Sequence, residues 1–175
     1  MILSWGAKVS PEFCTKVISI CQELFPFPTA PNDLMACMAF ETGETFRADI
    51  RNAAGSGAVG LIQFMPDTAI NLGTTTDLLA AMSPEDQLTY VRSYLYPDTR
   101  SIHSLADMYM AILMPRYITS PNDTVVFRKG TTAYLENEGL DTDKDGRVTK
   151  AEICARLYAK RQEGLLPNNS RTINI

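Results

Sequence analysis

The chain has 175 residues, of which 45% are hydrophobic and 21% are charged, and its formal net charge is −4. This length fits one domain over residues 1–175, and the hydrophobic content is enough to build a core. A nucleic-acid-binding protein would carry a basic excess, and a membrane-inserted protein would contain a run of about 18 apolar residues, so neither class is expected.

Two local features bear on where the protein is made and on its thiols. The first residues lack the basic start and long apolar run of a secretory leader, which predicts synthesis in the cytoplasm without a signal peptide. Cys14 and Cys21 are separated on a predicted helix by a rise of about 10.5 Å, which is too long for a disulfide. Since His103 is the only histidine and no CxxC pair occurs, we expect buried, reduced thiols, including Cys37 and Cys154, and no zinc site.

Helical patterns account for most of the chain. Ser10, followed by a proline and a glutamate, predicts the start of a helix that runs to residue 24, and the proline-containing stretch 26–31 breaks it. Asn32 or Asp33 is the predicted cap of a second, mostly apolar helix that ends near residue 43, which places Glu41 at its end. Further helices are predicted over 66–73, 84–96, 105–114, 132–138 and 149–162, and Ser83 and Ser104 are the predicted starts of the second and third of these. The helix over 105–114 is so apolar that we expect protein on nearly every side of it.

Residues 44–65 interrupt the helical pattern. The run 52–60 contains three glycines and is expected to be irregular, and 61–64 is predicted to form a short strand or an extended turn. The tail after Pro167 is predicted to be loose. Together these features predict a mainly α fold with a small glycine-rich extended or β region.

An acidic segment, residues 141–152, matches the twelve-residue EF-hand loop and predicts an EF-hand-like helix-loop-helix. Aspartates occupy its first, third and fifth positions, and a glycine occupies the sixth, where the chain must turn sharply. Hard oxygen ligands in this number favour calcium over a transition metal. The predicted ligands of one structural Ca²⁺ ion are Asp141, Asp143, Asp145, the carbonyl of Arg147, Thr149 and Glu152. The segment 149–152 also matches a helix capping box, but a capping box does not account for the alternating aspartates.

Glu41 is the candidate catalytic acid. Cleavage of a glycosidic bond needs a carboxyl group that is still protonated near neutral pH, and burial among apolar groups raises the pKa of a carboxyl. The uncharged run 35–40 precedes Glu41 directly. The position alone is more typical of a solvated glutamate at a helix end.

A second segment gives Glu41 its context. After Glu41-Thr42-Gly43 the chain contains Gly-Leu-Ile-Gln-Phe-Met-Pro-Asp-Thr-Ala over 60–69. With this pair of motifs the sequence resembles the lysozyme-like superfamily, and within it the lytic transglycosylases and the phage endolysins of muramidase type. The resemblance is clear over 32–73 and looser beyond. It implies a lysozyme-like (α+β) helical domain that cleaves the β-1,4 bond between N-acetylmuramic acid and N-acetylglucosamine in peptidoglycan, with Glu41 as general acid and base.

The resemblance also implies which residues bind the glycan. Glycine lets a backbone approach a sugar ring closely, and a glutamine amide can both donate and accept hydrogen bonds. The implied substrate contacts are Gly60, Gln63, Phe64 and Met65. The family's Ala-Tyr-Asn-x-Gly motif is absent, and Tyr109 either takes the place of its tyrosine or is a core residue. Tyr134 and Asn137, on the helix before the acidic segment, are further candidates for the cleft.

The sequence leaves the reaction product open. Hydrolysis usually uses two carboxylates, and Glu44 is a better candidate for the second than Asp49. The resemblance to lytic transglycosylases instead implies one glutamate and a 1,6-anhydro product. A non-catalytic calcium-stabilised wall-binding module and a chitinase-like hydrolase are the other functions considered.

The route to the cell wall is open too. A protein without a leader that acts on peptidoglycan suits release by a phage, a place on a phage tail, or injection by a secretion system. The delivery machinery and an immunity protein are therefore open as partners.

Overall fold

The structure is a computed structural model that describes residues 1–174, and 52% of the protein is helical, with two small sheets. This confirms the predicted mainly α class. The α-helices are α1 (Pro11–Leu24), α2 (Ala30–Glu41), α3 (Pro66–Asn71), α4 (Thr76–Ala80), α5 (Pro84–Leu95), α6 (Leu105–Leu113), α7 (Thr132–Asn137) and α8 (Lys150–Gly164). The strands are β1 (Ile2–Leu3), β2 (Val125–Arg128), β3 (Arg147–Thr149) and β4 (Arg171–Thr172). Short 3-10 helices cover Gly6–Lys8, Tyr96–Asp98, Pro115–Tyr117 and Glu138–Leu140. Among residues 1–174, no helix is long and apolar enough to cross a membrane.

The first helix begins at its predicted cap. The hydroxyl of Ser10 accepts a hydrogen bond from the backbone N–H of Phe13, and Pro11 occupies the first helical position, where its missing N–H costs little. The buried face of α1, which includes Phe13 and Val17, packs against α2 and α5. This packing encloses one side of α2.

Helix α2 lies at the centre of the fold, in contact with α1, α6 and α8, and most of its residues are buried. It starts at Ala30, so the predicted cap at Asn32 or Asp33 was wrong. The reason is Pro31, which is tolerated in the first turn and therefore begins the helix instead of breaking it. The buried carboxylate of Asp33 instead pairs with Arg161 on α8 at 2.7 Å. The helix ends at Glu41, two residues before the predicted end near residue 43, and Glu41 lies at its end as predicted.

The four cysteines lie in the core. All are buried, and none forms a disulfide within residues 1–174. Burial raises the pKa of the Cys37 thiol well above its usual value, so this side chain stays an unreactive thiol. This agrees with the expectation of buried, reduced cysteines.

The glycine-rich segment folds as turns held by two isolated bridges. Val59 pairs with both Arg51 and Phe64, and residues 60–63 form a turn between Val59 and Phe64. Of the two alternatives predicted for 61–64, the turn is therefore the one that forms. Helix α4 was not predicted, because its five residues are too short to show a helical period.

The second half of the chain surrounds α6 and the acidic segment. Helix α6 packs against α2 and α8, but its last turn, with Ile112 and Leu113, faces a cavity. The expectation of protein on nearly every side therefore holds only for its first turns. Strands β2 and β3 pair antiparallel, with Phe127 opposite Val148. The sequence did not predict β2.

The two ends of the chain meet. Strand β1 pairs antiparallel with β4, and the guanidinium of Arg171 donates a hydrogen bond of 3.0 Å to the carbonyl of Val9. For residues 168–174 the prediction of a loose tail was therefore wrong, because the unpaired edge of β1 gives the tail a hydrogen-bonding partner, and residue 175 lies outside the described residues. Beside this pair, the buried indole of Trp5 donates to the carbonyl of Lys160 at 3.0 Å and fastens the N-terminus to α8.

Candidate active site

A cavity of about 660 Å³ opens between the end of α2, the glycine-rich segment, the last turn of α6, and α7. Its larger apolar lining residues are Phe40, Ile50, Ile62, Met65, Ile112, Leu113, Met114 and Phe127. Its larger polar and charged lining residues are Glu41, Thr42, Arg51, Asn52, Ser56, Gln63, Tyr109, Glu136 and Asn137. A largely apolar surface with a few polar groups is typical of a ligand-binding site.

Glu41 reaches this cavity from the C-terminus of α2. Its Oε1 accepts a hydrogen bond of 2.6 Å from the hydroxyl of Tyr109 on α6, and the Tyr109 ring packs edge-to-face on Phe40. Burial raises the pKa of Glu41 to about 7, and the Tyr109 hydrogen bond, which favours the charged form, offsets part of that rise. A carboxyl group with this pKa can both donate and accept a proton near neutral pH.

The residue after Glu41 fixes the direction of the chain. Thr42 is fully buried, and its hydroxyl donates to the carbonyl of Met38 at 2.7 Å and accepts from the N–H of Phe46 at 3.0 Å. These two bonds close the end of α2 and hold Glu41 at the edge of the cavity. The sequence motif contains Thr42 but does not show this structural role.

The signature over 60–69 builds a cavity wall. The Gln63 amide lines the cavity, and its Nε2 donates to the backbone carbonyls of Gly60 at 3.0 Å and Ile50 at 3.3 Å. Gly60 packs directly against the fully buried side chain of Gln87, and a Cβ at position 60 would collide with that side chain. The side chain of Gln87 accepts a hydrogen bond from the N–H of Leu61 at 2.7 Å. A glycine is therefore needed at position 60 so that the backbone can come this close to the Gln87 side chain.

Five of the nine sequence-predicted catalytic and substrate-binding residues meet in the cavity. The residues brought together are Glu41, Gln63, Met65, Tyr109 and Asn137. Gly60 and Phe64 do not line the cavity. The side chain of Phe64 is buried in the core and packs on Tyr94. Tyr134 is buried too, and its hydroxyl donates to Asp141 at 2.6 Å, away from the cavity.

Neither predicted second carboxylate lines the cavity. Glu44 has a positive φ of 67°, which directs its side chain to Lys160 on α8, with 2.5 Å between Oε1 and Nζ. Asp49 forms a two-point ion pair with Arg47 at 2.7–2.8 Å. The other carboxylate that lines the cavity is Glu136 on α7.

Arg51 is a further lining residue that the sequence did not single out. It is the one basic side chain among the lining residues, and it is 47% exposed. Its Nη2 pairs with Asp77 at 2.6 Å, and Asp77 is 88% exposed. No motif in the sequence marks Arg51 or Glu136, because each reaches the cavity only through the fold.

None of the protein-family models, curated proteins or solved structures that were compared with the chain matches it.

The acidic segment forms a second cluster, next to α7. Asp141, Asp143 and Asp145 each present a carboxylate oxygen within 4.8 Å of the others. Asp141 is only 7% exposed, and its buried Oδ1 has no hydrogen-bond partner among residues 1–174. An unpaired buried carboxylate oxygen is costly, so a cation fits this position well.

The other predicted calcium ligands are held differently. The carboxylate of Glu152 accepts hydrogen bonds from Thr142 at 2.9 Å and from Thr149 at 2.8–2.9 Å. These bonds include the capping box that starts α8, so the alternative role of the segment 149–152 is present in the structure. The structure therefore brings the three aspartates together but does not bring Glu152 to them.

Proposed function

We propose that the protein cleaves the β-1,4 bond between N-acetylmuramic acid and N-acetylglucosamine in peptidoglycan, with Glu41 as general acid and base. The observation that carries this proposal is the raised pKa of Glu41, about 7, on a carboxyl group that lines a largely apolar cavity. The resemblance of the two sequence motifs to the lysozyme-like superfamily supports the same reaction and supplies the substrate class.

The proposed reaction begins with proton transfer. Protonated Glu41 donates its proton to the glycosidic oxygen, and the bond between that oxygen and the anomeric carbon breaks through an oxocarbenium-like transition state. The resulting carboxylate accepts the hydrogen bond from Tyr109, which stabilises the new charge. Glu41 then takes a proton from the hydroxyl group that attacks the anomeric carbon, which returns the enzyme to its starting state.

The attacking hydroxyl defines the product. We infer that it is the sugar's own 6-hydroxyl, as in a lytic transglycosylase. Glu44 and Asp49 are held in ion pairs outside the cavity, and Glu136 is exposed on the helix α7. A general base or nucleophile for hydrolysis would be a second carboxylate near the scissile bond.

We further propose that the acidic segment binds one structural Ca²⁺ ion. Asp141, Asp143 and Asp145 would hold it, with the carbonyl of Arg147, and Glu152 would join only by exchanging its present hydrogen bonds. A bound calcium ion would offset the negative charge of the three neighbouring carboxylates and so remove their mutual repulsion.

Purified cell walls test the catalytic proposal. The wild-type protein should clear their turbidity and release products one water lighter than hydrolysed ones, as seen by mass spectrometry. Glu41→Gln should fold and lose this activity, while the matched change Glu12→Gln, on the exposed face of α1, should keep it. Full activity in Glu41→Gln would refute the proposal.

The same assay separates the competing functions. Binding to cell walls without clearing, by the wild-type protein, would indicate a wall-binding module. Cleavage of chitin oligomers in preference to peptidoglycan would indicate a chitinase-like hydrolase.

A further inference from the structure

Helix α7 presents side chains in two directions. Ala133, Glu136 and Asn137 lie three and four residues apart, on one helix face, and line the cavity. Tyr134, between them, is buried on another face, and its hydroxyl donates a hydrogen bond of 2.6 Å to Oδ2 of Asp141. One short helix therefore connects the cavity wall to the acidic segment.

The carboxylate at the far end of this connection has one satisfied and one unsatisfied oxygen. Oδ2 of Asp141 accepts from Tyr134 and from the N–H of Gly146 at 3.0 Å. Oδ1 is buried and has no hydrogen-bond partner in the described part of the chain, and Asp141 offers a carboxylate oxygen within 4.8 Å of those of Asp143 and Asp145. A cation held there would fix Asp141 through the oxygen that Tyr134 leaves free.

Helix α7 is held by its contacts with β2 and β3, by the Thr131 cap at its start and by one buried side chain. It has only six residues, which is far below the length at which a helix is stable by itself, and Tyr134 is its one buried residue. Leu135 is 65% exposed, and the side-chain amide of Asn137 donates a hydrogen bond to the carbonyl of Ala133 in the same helix. The position of the cavity-lining face therefore depends on the Tyr134 side chain as well as on these strand contacts.

The negative charge of the three aspartates makes the hydrogen bond between Tyr134 and Asp141 sensitive to a bound cation. Three carboxylates within 4.8 Å of one another repel when no cation is present, and the repulsion acts on Asp141 directly. A displaced Asp141 would release the Tyr134 hydroxyl, and α7 would lose this anchoring hydrogen bond. A cation that gathers the carboxylates would restore it.

We propose that Tyr134 is a positioning residue that couples calcium in the acidic segment to glycan binding in the cavity. The ion fixes Asp141, Asp141 fixes Tyr134, and α7 then presents Glu136 and Asn137 to the sugar. This inference rests on the proposed function for the identity of the glycan. Because coupling is reciprocal, the glycan should also tighten calcium binding by the same factor.

Binding measurements on an inactive enzyme test the coupling. In a Glu41→Gln background, titration calorimetry with the N-acetylglucosamine tetramer is run with saturating calcium and with a chelator. Calcium should tighten the tetramer affinity about fivefold or more. Adding Tyr134→Phe should leave calcium binding measurable and reduce this factor to near one. The control Tyr158→Phe, at a side chain that is 41% exposed and does not line the cavity, should keep the full factor.

Amide hydrogen exchange gives a readout that needs no glycan. Calcium should slow exchange in α7 of the Glu41→Gln protein and should not do so once Tyr134→Phe is added. The coupling is refuted if calcium does not bind, if it binds without changing either readout, or if Tyr134→Phe keeps the full calcium factor. If cell walls are not cleaved but α7 exchange still responds to calcium through Tyr134, the coupling stands and the proposed function fails.

Discussion

The hydroxyl of Tyr109 donates a hydrogen bond of 2.6 Å to Oε1 of Glu41, and it joins the centre of α6 to the end of α2. This bond acts against burial. Burial disfavours the carboxylate and raises the pKa of Glu41 to about 7, whereas the donated proton favours the carboxylate and limits the rise. Burial and a hydrogen bond from a residue far away in sequence together set the protonation state of the proposed acid.

Tyr109→Phe should therefore raise the pKa of Glu41 further. Since the proposed general acid works in its protonated form, the loss of activity at alkaline pH should move to higher pH in this variant. Initial rates of cell-wall clearing across about pH 5 to 9 measure the shift. Tyr158→Phe serves as the control and should keep the wild-type profile. An alkaline limb that stays in place, or moves to lower pH, would contradict the assignment.

Glu41→Gln should change stability as well as activity. The pKa of Glu41 in the folded protein, about 7, lies above the ordinary glutamate value of 4.5, so the folded state holds the proton more tightly than the unfolded state. The stability of the wild-type protein should then fall as the pH rises from the lower value through the higher one. The neutral glutamine does not bear this cost.

The variant should consequently be more stable than wild type above the higher pKa, by about 3 kcal/mol, and similar to it in acid. Urea unfolding at several pH values measures the difference. Glu12→Gln, at an exposed site, should follow the wild-type curve. A Glu41→Gln protein that loses its advantage as the pH rises would show that Glu41 is not buried as a neutral acid.

The helices could be predicted because their signals are local. Ser10, Ser83 and Ser104 each accept a hydrogen bond from a backbone N–H three residues later, and the sequence shows all three caps. The helix-end position of Glu41 also follows from local pattern. The start of α2 was misplaced because Pro31 can either break a helix or begin one.

The arrangement of the candidate site depends on contacts between distant segments. Glu44 is close to Glu41 in sequence, but a turn with positive φ directs it to Lys160. Lys150 is buried and donates to the carbonyls of Ile118 at 2.5 Å and Ser120 at 3.1 Å, although its position in the acidic segment suggests an exposed lysine. Such partners are not visible in composition, spacing or periodicity.

The two candidate second carboxylates should behave differently from Glu41. Glu44→Gln breaks a partly exposed ion pair with Lys160, which costs about 1 kcal/mol or less, and should leave activity and product unchanged. Glu136→Gln should weaken substrate binding, since Glu136 lines the cavity, and should still give the anhydro product. Steady-state rates with mass spectrometry of the products decide this. Loss of turnover in Glu136→Gln would indicate a second catalytic carboxylate, and hydrated ends from the wild-type protein would indicate hydrolysis.

Calcium should stabilise the fold. A ligand at a hundredfold excess over its Kd adds about 2.7 kcal/mol, which for a chain of this size raises Tm by about 5–10 °C. Differential scanning calorimetry with calcium and with a chelator measures the shift. Asp141→Asn should abolish it, whereas Asp77→Asn, an exposed aspartate outside the acidic segment, should not. An unchanged Tm in the wild-type protein would contradict the calcium proposal.

Arg51 should contribute to the choice between peptidoglycan and chitin. Peptide stems on peptidoglycan carry carboxylates that chitin lacks, and Arg51 is the basic side chain that lines the cavity. Its ion pair with Asp77 is exposed, so it is weak and leaves further guanidinium N–H groups for a ligand carboxylate. Arg51→Ala should therefore lower kcat/KM on peptidoglycan with intact stems by about three- to tenfold.

The substrate comparison isolates this effect from a general loss of activity. On N-acetylglucosamine oligomers, or on glycan strands stripped of their stems, Arg51→Ala should act like the wild-type protein. Arg47→Ala provides the matched control, because Arg47 is an exposed arginine four positions away that pairs with Asp49 and does not line the cavity. Equal losses of kcat/KM on stem-bearing and stem-free substrates would show that Arg51 supports the cavity wall and does not read the stem.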